Sequence, residues 1–273
     1  MSHRADPTDL GTLAERAARA GGSVALSTFR TNVQVNTKTN VMDSVTEADL
    51  AAQERVLDVL READPDATYV AEEADAETTI PETGRVWIID PIDGTNNYAV
   101  GSRLWATSVA AVQDGVPVAA VTHLPALEDT YTATDGRAKR NGDPVTVRDQ
   151  PESTASVAAP VFGLGRSDRP AYLATTEALI SSFGDLRRFG SGQTALAMVA
   201  AGELDGIVTT LRHSPWDTVA GAHLVRAGGG QVTDAMGDPW SAESLGLVAS
   251  NGGVHEALLS AAQRGLEADG PDD

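Results

Sequence analysis

The sequence predicts an α+β, or layered α/β, fold, and three observations carry that expectation. Apolar residues at helical spacing open the chain, and two short apolar runs each end in acidic residues. An alternating, turn-punctuated block follows, after which helix and strand patterns return. At 273 residues the chain is long enough for one large core or two fused halves.

The first helix is expected over 10–26, with Leu10, Leu13, Ala14, Ala17, Ala18 and Ala25 on one side. A polar extended stretch, 31–42, leads to a second helix starting near Glu47. Leu50, Val56, Leu57 and Leu60 are expected to face inward there, and Asp64-Pro65-Asp66 to stop it. The runs 69–71 and 86–89 read as buried strands ending at Glu72-Glu73 and Asp90. Strands follow over 105–112, 116–123 and 129–134. Asp114-Gly115 reads as a tight hairpin, and Gly136-Arg137 and Asn141-Gly142 as turns. Beyond a polar linker, 148–154, come helices over 172–182 and 195–201, a strand over 206–209, a helix over 214–227, a strand over 245–250 and a helix over 254–264. The expected division is an N-terminal half, 1–150, a C-terminal half, 151–265, and an acidic tail, 266–273, in one compact unit.

Composition narrows the chemistry. Hydrophobic residues make up 41% and charged ones 22%, a globular balance and not a disordered one. No run approaches the roughly 20 apolar residues of a membrane span. The polar start has no secretory-type apolar segment, so a cytoplasmic location is expected. The absence of cysteine excludes disulfides, Cys-ligated zinc or iron–sulfur sites and thiol nucleophiles. Asp and Glu number 39 against 20 Lys and Arg, a formal charge of -19. That field repels nucleic acid and anionic membrane, so neither is expected as a partner. It also repels a phosphate ester unless bound cations intervene. Lys38 and Lys139 are the only lysines; such a surface reads either as salt adaptation or as the codon bias of a GC-rich genome.

Four segments carry candidate chemistry. In Trp87-Ile-Ile-Asp90-Pro-Ile-Asp93-Gly-Thr95-Asn-Asn-Tyr98, a strand delivers Asp90 to its end and a turn brings Asp93 back toward it. Gly94 admits a ligand close to the backbone, and a helical turn starting at Thr95 would aim free N–H groups at an anion. Hard divalent cations favour this all-oxygen environment; the alternative is a surface turn beside a helix cap. Glu72 either closes a metal site opposite Asp90 or faces solvent with Glu73, and alternation along the strand argues against both being ligands. Asp43-Ser-Val-Thr46-Glu-Ala-Asp49 has capping-box spacing, so Asp49 either caps a helix or orients a water or the Thr95 hydroxyl. Lys38 is either solvated or placed to neutralise a phosphate. Ser214-Pro215-Trp216-Asp217 is a complete helix start, which leaves Asp217 as a cap or as a rigidly aimed ligand. The five histidines show no metal-ligand spacing, and no GxSxG, P-loop or GxGxxG motif is present.

These segments, with Gly190-Ser191 and Trp216-Asp217-Thr-Val-Ala-Gly221, resemble the inositol monophosphatase family, in order and spacing, from about residue 10 to residue 260. The resemblance implies a layered α-β-α-β-α sandwich with the sugar phosphatase fold, usually a homodimer, and two to three Mg2+ per subunit. It implies metal ligation by Glu72, Asp90, the Ile92 carbonyl, Asp93 and Asp217. Phosphate is expected at the Gly94 and Thr95 N–H groups and Lys38. Glu72, Thr95 and Asp49 are the expected catalytic groups, orienting a water for in-line attack. Inositol-selective members place a Glu seven residues before Asp217, where this chain has Thr210. Asn96, Gln193, Arg212 and His213 are the substrate-binding candidates that remain. The expected activity is Mg2+-dependent hydrolysis of a small polyol or sugar phosphate, inositol-1-monophosphatase-like. The alternatives are a fructose-1,6-bisphosphatase or histidinol-phosphatase activity, or a non-catalytic metal-binding dimer.

Overall fold

The structure, a computed structural model, describes residues 7–30, 35–37, 44–73, 79–161, 165 and 167–268. Helix α1 (Pro7–Thr28) is followed by a small antiparallel pair, β1 (Val35–Thr37) and β2 (Ser44–Thr46), and by α2 (Glu47–Ala63). Strands β3 (Thr68–Ala71) and β4 (Arg85–Asp93) lead to a short helix, α3 (Thr95–Ala99). Then β5 (Ala106–Gln113), β6 (Val116–Leu124), β7 (Asp129–Thr134), β8 (Arg137–Arg140) and β9 (Asp143–Val145) form a meander. The remaining elements are β10 (Val157–Pro160), α4 (Arg169–Ser182), β11 (Asp185–Leu186), α5 (Gly192–Ala200), β12 (Gly206–Thr209), α6 (Pro215–Ala227), β13 (Gln231–Thr233), β14 (Leu247–Ser250) and α7 (His255–Ala268).

Strands β3 to β9 form a seven-stranded sheet in chain order, in which only β3 and β4 are parallel. The second sheet has the order β11-β10-β12-β14-β13. β4 shows how the layers stack. Its run Val86-Trp87-Ile88-Ile89 is apolar without alternation because both faces are covered. Trp87 and Ile89 pack with Leu10, Ala14, Val56 and Leu60 of α1 and α2. Val86 and Ile88 face the opposite way, into a core shared with α5, α6 and the second sheet through Leu196, Leu224, Ile207 and Ala249. Beyond that sheet, Ala158, Val208 and Val248 pack on Leu179 of α4 and Leu258 of α7. The result is the five-layer α-β-α-β-α sandwich, with each fully buried aliphatic side chain contributing about 1.5–3 kcal/mol.

Local chemistry explains the turns. Asp114-Gly115, Asp135-Gly136 and Asn141-Gly142 all have positive φ at both positions, as primed hairpin turns require. Among the described residues no helix is long and apolar enough to cross a membrane.

Three expectations need correction. Leu50 is 46% exposed, because α2 presents Ala48, Ala52, Val56 and Leu60 to the sheet and Leu50 lies off that stripe. β4 does not end at Asp90; it continues through Pro91 to Asp93, with a register shift between Asp90 and Asp93 against β5. Pro91 is tolerated because it lies in that irregularity, where the ladder needs no N–H from it. The acidic tail begins later than residue 266, since α7 runs to Ala268; residues beyond 268 lie outside the described ones.

Candidate active site

The site begins with parallel pairing. Ala71 pairs with Ile89, so the next residues along the chain, Glu72 and Asp90, emerge side by side, Glu72 just past the end of β3 and Asp90 where β4 enters its irregularity. Gln53 of α2 holds the bend that follows: its amide accepts from Glu73 N at 2.8 Å and donates to Glu73 O at 2.6 Å. Glu73 is buried and Glu72 accessible, as alternation requires. Asp49, one turn before Gln53 on the same face of α2, is 1% exposed.

Asp93 is bound to the second half of the chain. Its carboxylate accepts Gly192 N at 3.2 Å and Gln193 N at 2.8 Å, the free N–H groups at the start of α5. The Ser191 hydroxyl also donates to it, and Thr194 Oγ1 lies 2.5 Å from Ser191 Oγ. Gly94 follows with φ 88°, where a Cβ would stand 3.0 Å from Ser191 Cβ and 3.1 Å from Leu104 O. Glycine is therefore required both by conformation and by space.

Of the two readings of this segment, the structure has the helical one: α3 starts at Thr95. Its first intrahelical bond is Tyr98 N to Gly94 O, 3.0 Å, which leaves the Thr95 and Asn96 N–H groups ahead of the ladder. The Thr95 hydroxyl donates to the Ile92 carbonyl at 3.1 Å. Asn97 ties the helix down by donating to Leu104 O and Phe189 O, at 2.6 and 2.7 Å. Tyr98 stacks edge-on against Trp105, 5.0 Å between centroids, and donates to Ala25 O.

Asp217 occupies the third position of α6, inside a capping box with Ser214, whose N–H it accepts at 3.1 Å. Cap and candidate ligand are thus the same residue, and the two readings of the sequence coexist.

Electrostatics join these groups. Burial raises the Asp90 carboxyl well above its ordinary value, and Glu72, Asp93, Asp217 and Asp49 raise it further. Glu72 is raised by desolvation and then by Asp217, Asp49, Glu73 and Asp93; although accessible, it faces a cleft walled by protein and acid. Asp217 is pushed up to about 7 by burial and Asp93. For Asp93, burial outweighs the lowering effect of its four donors. Asp90 Oδ1 is buried and finds no hydrogen-bond partner among the described residues.

Among the described residues, no three carboxylates or imidazoles stand close enough to form a ready-made metal cage. Asp93 and Asp217 are instead hydrogen-bonded to backbone N–H groups at the N-termini of α5 and α6. The donor set nevertheless fits a hard dication: all its atoms are oxygen, and Asp90 brings a desolvated acceptor without a partner among the described residues.

Of the substrate-binding candidates, Asn96 is exposed beside the site. Gln193 is a correction. It is fully buried, with Nε2 donating to Trp216 O at 2.5 Å and Oε1 accepting from Gly221 N at 2.8 Å, so its amide is consumed between α5 and α6. Arg212 is exposed and donates to the Glu243 carbonyl. His213 Nε2 lies 2.9 Å from Thr209 Oγ1, and burial lowers its pKa to about 4, so at neutral pH it offers hydrogen bonds without charge. Lys38, Asp43 and the Thr46 side chain of the expected capping box lie outside the described residues. Sequence reasoning missed Gln53, Asn97 and Thr194. Only Gln53 left a signal, a polar residue four positions after Asp49 on the inward face.

Comparison with known proteins decides the family. The inositol monophosphatase family profile matches residues 6–267. The chain belongs to the inositol monophosphatase family. Inositol-1-monophosphatase ImpA of Mycolicibacterium smegmatis is 35% identical over 226 residues, covering 80% of this chain and 79% of that protein. The fructose-1,6-bisphosphatase/inositol-1-monophosphatase of Thermotoga maritima is 36% identical over 239 residues, 85% and 88% of the two chains. A solved IMPase structure from Thermotoga maritima superposes with a TM-score of 0.86 at 31% identity, covering 96% of this chain and all of that one. The inositol monophosphatase family hydrolyses sugar and polyol phosphate monoesters, small phosphorylated metabolites, typically with Mg2+. Thr210, seven residues before Asp217, is 7% exposed.

Proposed function

We propose that the chain is a Mg2+-dependent phosphatase of a small polyol or sugar phosphate, inositol-1-monophosphatase-like. The observation that carries the reading is the buried Asp90 Oδ1, without a hydrogen-bond partner among the described residues, with Glu72, Asp93, Asp217 and Asp49 near enough to raise its carboxyl further. Glu72, Asp90, Asp93, Asp217 and the Ile92 carbonyl would hold the metal. Bound Mg2+ neutralises phosphate charge and makes water more acidic. The rest is the chain's own work. The Gly94 and Thr95 N–H groups receive phosphate oxygens and stabilise charge on them as water attacks in line. Glu72 takes the proton at its carboxylate, and Asp49 with the Thr95 hydroxyl keeps the water aligned.

The direct test is phosphate release from inositol 1-phosphate, fructose 1,6-bisphosphate and histidinol phosphate. Turnover on at least one of them is expected, abolished by EDTA and restored by Mg2+. Mg2+ binding without turnover on any would replace this reading with a non-catalytic scaffold. Fructose 1,6-bisphosphate is the second reading, favoured by Thr210 standing where inositol-selective members have Glu and by the double name of the Thermotoga relative.

A linked expectation concerns pH. In the metal-free fold Glu72, Asp90 and Asp217 (the last up to about 7) retain protons that the unfolded chain releases above about pH 4. The folded state then binds more protons, so their contribution to stability falls as pH rises from about 4 through about 7. Buried His123, His213 and His223, lowered to about 4, act with the opposite sign but equally with and without metal. The rise in Tm caused by Mg2+ is therefore expected to grow between about pH 5.5 and 8. A metal-induced shift that is flat across that range would contradict the assignment of these carboxylates.

A further inference from the structure

Gln193 is an uncharged polar side chain with no exposed surface, two residues into α5. Its backbone N–H donates to Asp93 Oδ2 at 2.8 Å. Its side chain spans to α6, donating to Trp216 O at 2.5 Å and accepting from Gly221 N at 2.8 Å. Trp216 immediately precedes Asp217. One residue therefore holds Asp93 through its main chain and the first turn of α6, which carries Asp217, through its amide. The surrounding contact is unusually close: a Cβ on Gly221 would stand 2.4 Å from Leu196 Cβ and 2.8 Å from Gln193 Oε1. At such an approach an amide can reach both backbone groups of α6 without straining the helix pair.

We infer that Gln193 is a positioning residue that fixes the separation of Asp93 and Asp217, and so sets how tightly the site grips its dication. The inference rests on the proposed role of those two aspartates as ligands. It deepens that reading by making cation affinity depend on a group that contributes no ligand atom. Two mutually repelling carboxylates spread unless something holds them. Asp93 is anchored to α5 by four donors, and Asp217 to α6 by its capping box, so the distance between them is set by how the two helices are joined. Gln193 is the side chain that hydrogen-bonds across that joint. A hydrogen-bonded brace behind the ligands commonly matters about 10–100-fold for metal affinity.

The test compares Gln193→Met, close in volume but unable to make either bond, with Gln193→Asn, polar but one methylene short. Leu196→Val serves as a packing control that thins the same helix contact without touching the amide. Mg2+ affinity is read by calorimetry, and the Mg2+ dependence of phosphate release alongside it. Both Gln193 variants are expected to bind Mg2+ about tenfold or more weakly, with kcat at saturating Mg2+ within about threefold of the parent. Leu196→Val is expected to lower Tm and leave Mg2+ affinity unchanged. Unchanged affinity in the Gln193 variants, or equal weakening in Leu196→Val, would overturn the role and leave Gln193 as packing. Absence of Mg2+ binding by the unsubstituted protein would instead overturn the ligand assignment, and this role with it.

Discussion

Replacing Asp90 by Asn is expected to reduce kcat/KM by about a thousandfold or more while making the metal-free protein more stable. Both effects have one cause. Asp90 is buried, its Oδ1 has no hydrogen-bond partner among the described residues, and four other carboxylates push its pKa up. Asn is neutral at nearly the same shape, so the fold no longer bears the cost of either burying a charge there or taking up a proton to neutralise it. The same substitution takes away one of the proposed metal ligands. In EDTA the Tm of Asp90→Asn is expected to rise by about 2–4 °C or more, the equivalent of at least ~1 kcal/mol in a chain of this size. With Mg2+ the order reverses, because only the parent gains from the ion. The decisive outcome is the pairing of gain and loss. A variant that loses activity and also melts lower in EDTA would mean that Asp90 is a structural residue and that its charge is compensated in the empty site.

The second large effect is expected from Gly221→Ala. The position lies in α6, where alanine is ordinarily the better helix former, so propensity alone predicts a gain. Space predicts the reverse. The new methyl would stand 2.4 Å from both Cβ and Cδ1 of Leu196. A Cβ cannot swing away as a chain end can, so α5 and α6 must separate. Overpacking of this kind costs about 1–3 kcal/mol, and the Tm is expected to fall by about 3–10 °C. Separation also breaks the bond from Gly221 N to Gln193 Oε1 and moves Asp217 relative to Asp93, so Mg2+ affinity should fall in the same variant. A Tm within about 1 °C of the parent would show that the helices have room to spare.

Much of this architecture was legible in the residues, and the parts that were not have physical reasons. The uninterrupted apolar run 86–89 identified a strand buried on both faces. Asp114-Gly115 announced its turn because few other pairs accept two positive φ values. Ser214-Pro215-Trp216-Asp217 announced the start of α6 because each part of that cap is local. By contrast, β13 and the two-residue β11 are too short to carry a period, and their existence depends on neighbours distant in sequence. The run through Pro91 to Asp93 was hidden because proline argues for an end where a bulge in fact absorbs it. For the site, acidic residue types at the ends of strands and helices pointed to its place, but not to what each group touches. Gln193 looks on paper like a polar residue available to a substrate; its burial is a property of two helices meeting, which no local pattern encodes.

The first sheet and the acidic site differ in how far along the chain their contacts reach. Strands β4 to β9 pair with their immediate successors, so most of the first sheet closes through short loops at small entropic cost. The hydrogen bonds that seat Asp93 on α5 join residues 99 and 100 positions apart. Glu72 and Asp90 are set side by side by the local β3–β4 pair, whereas Asp93 reaches its donors only when the second half of the chain docks on the first sheet.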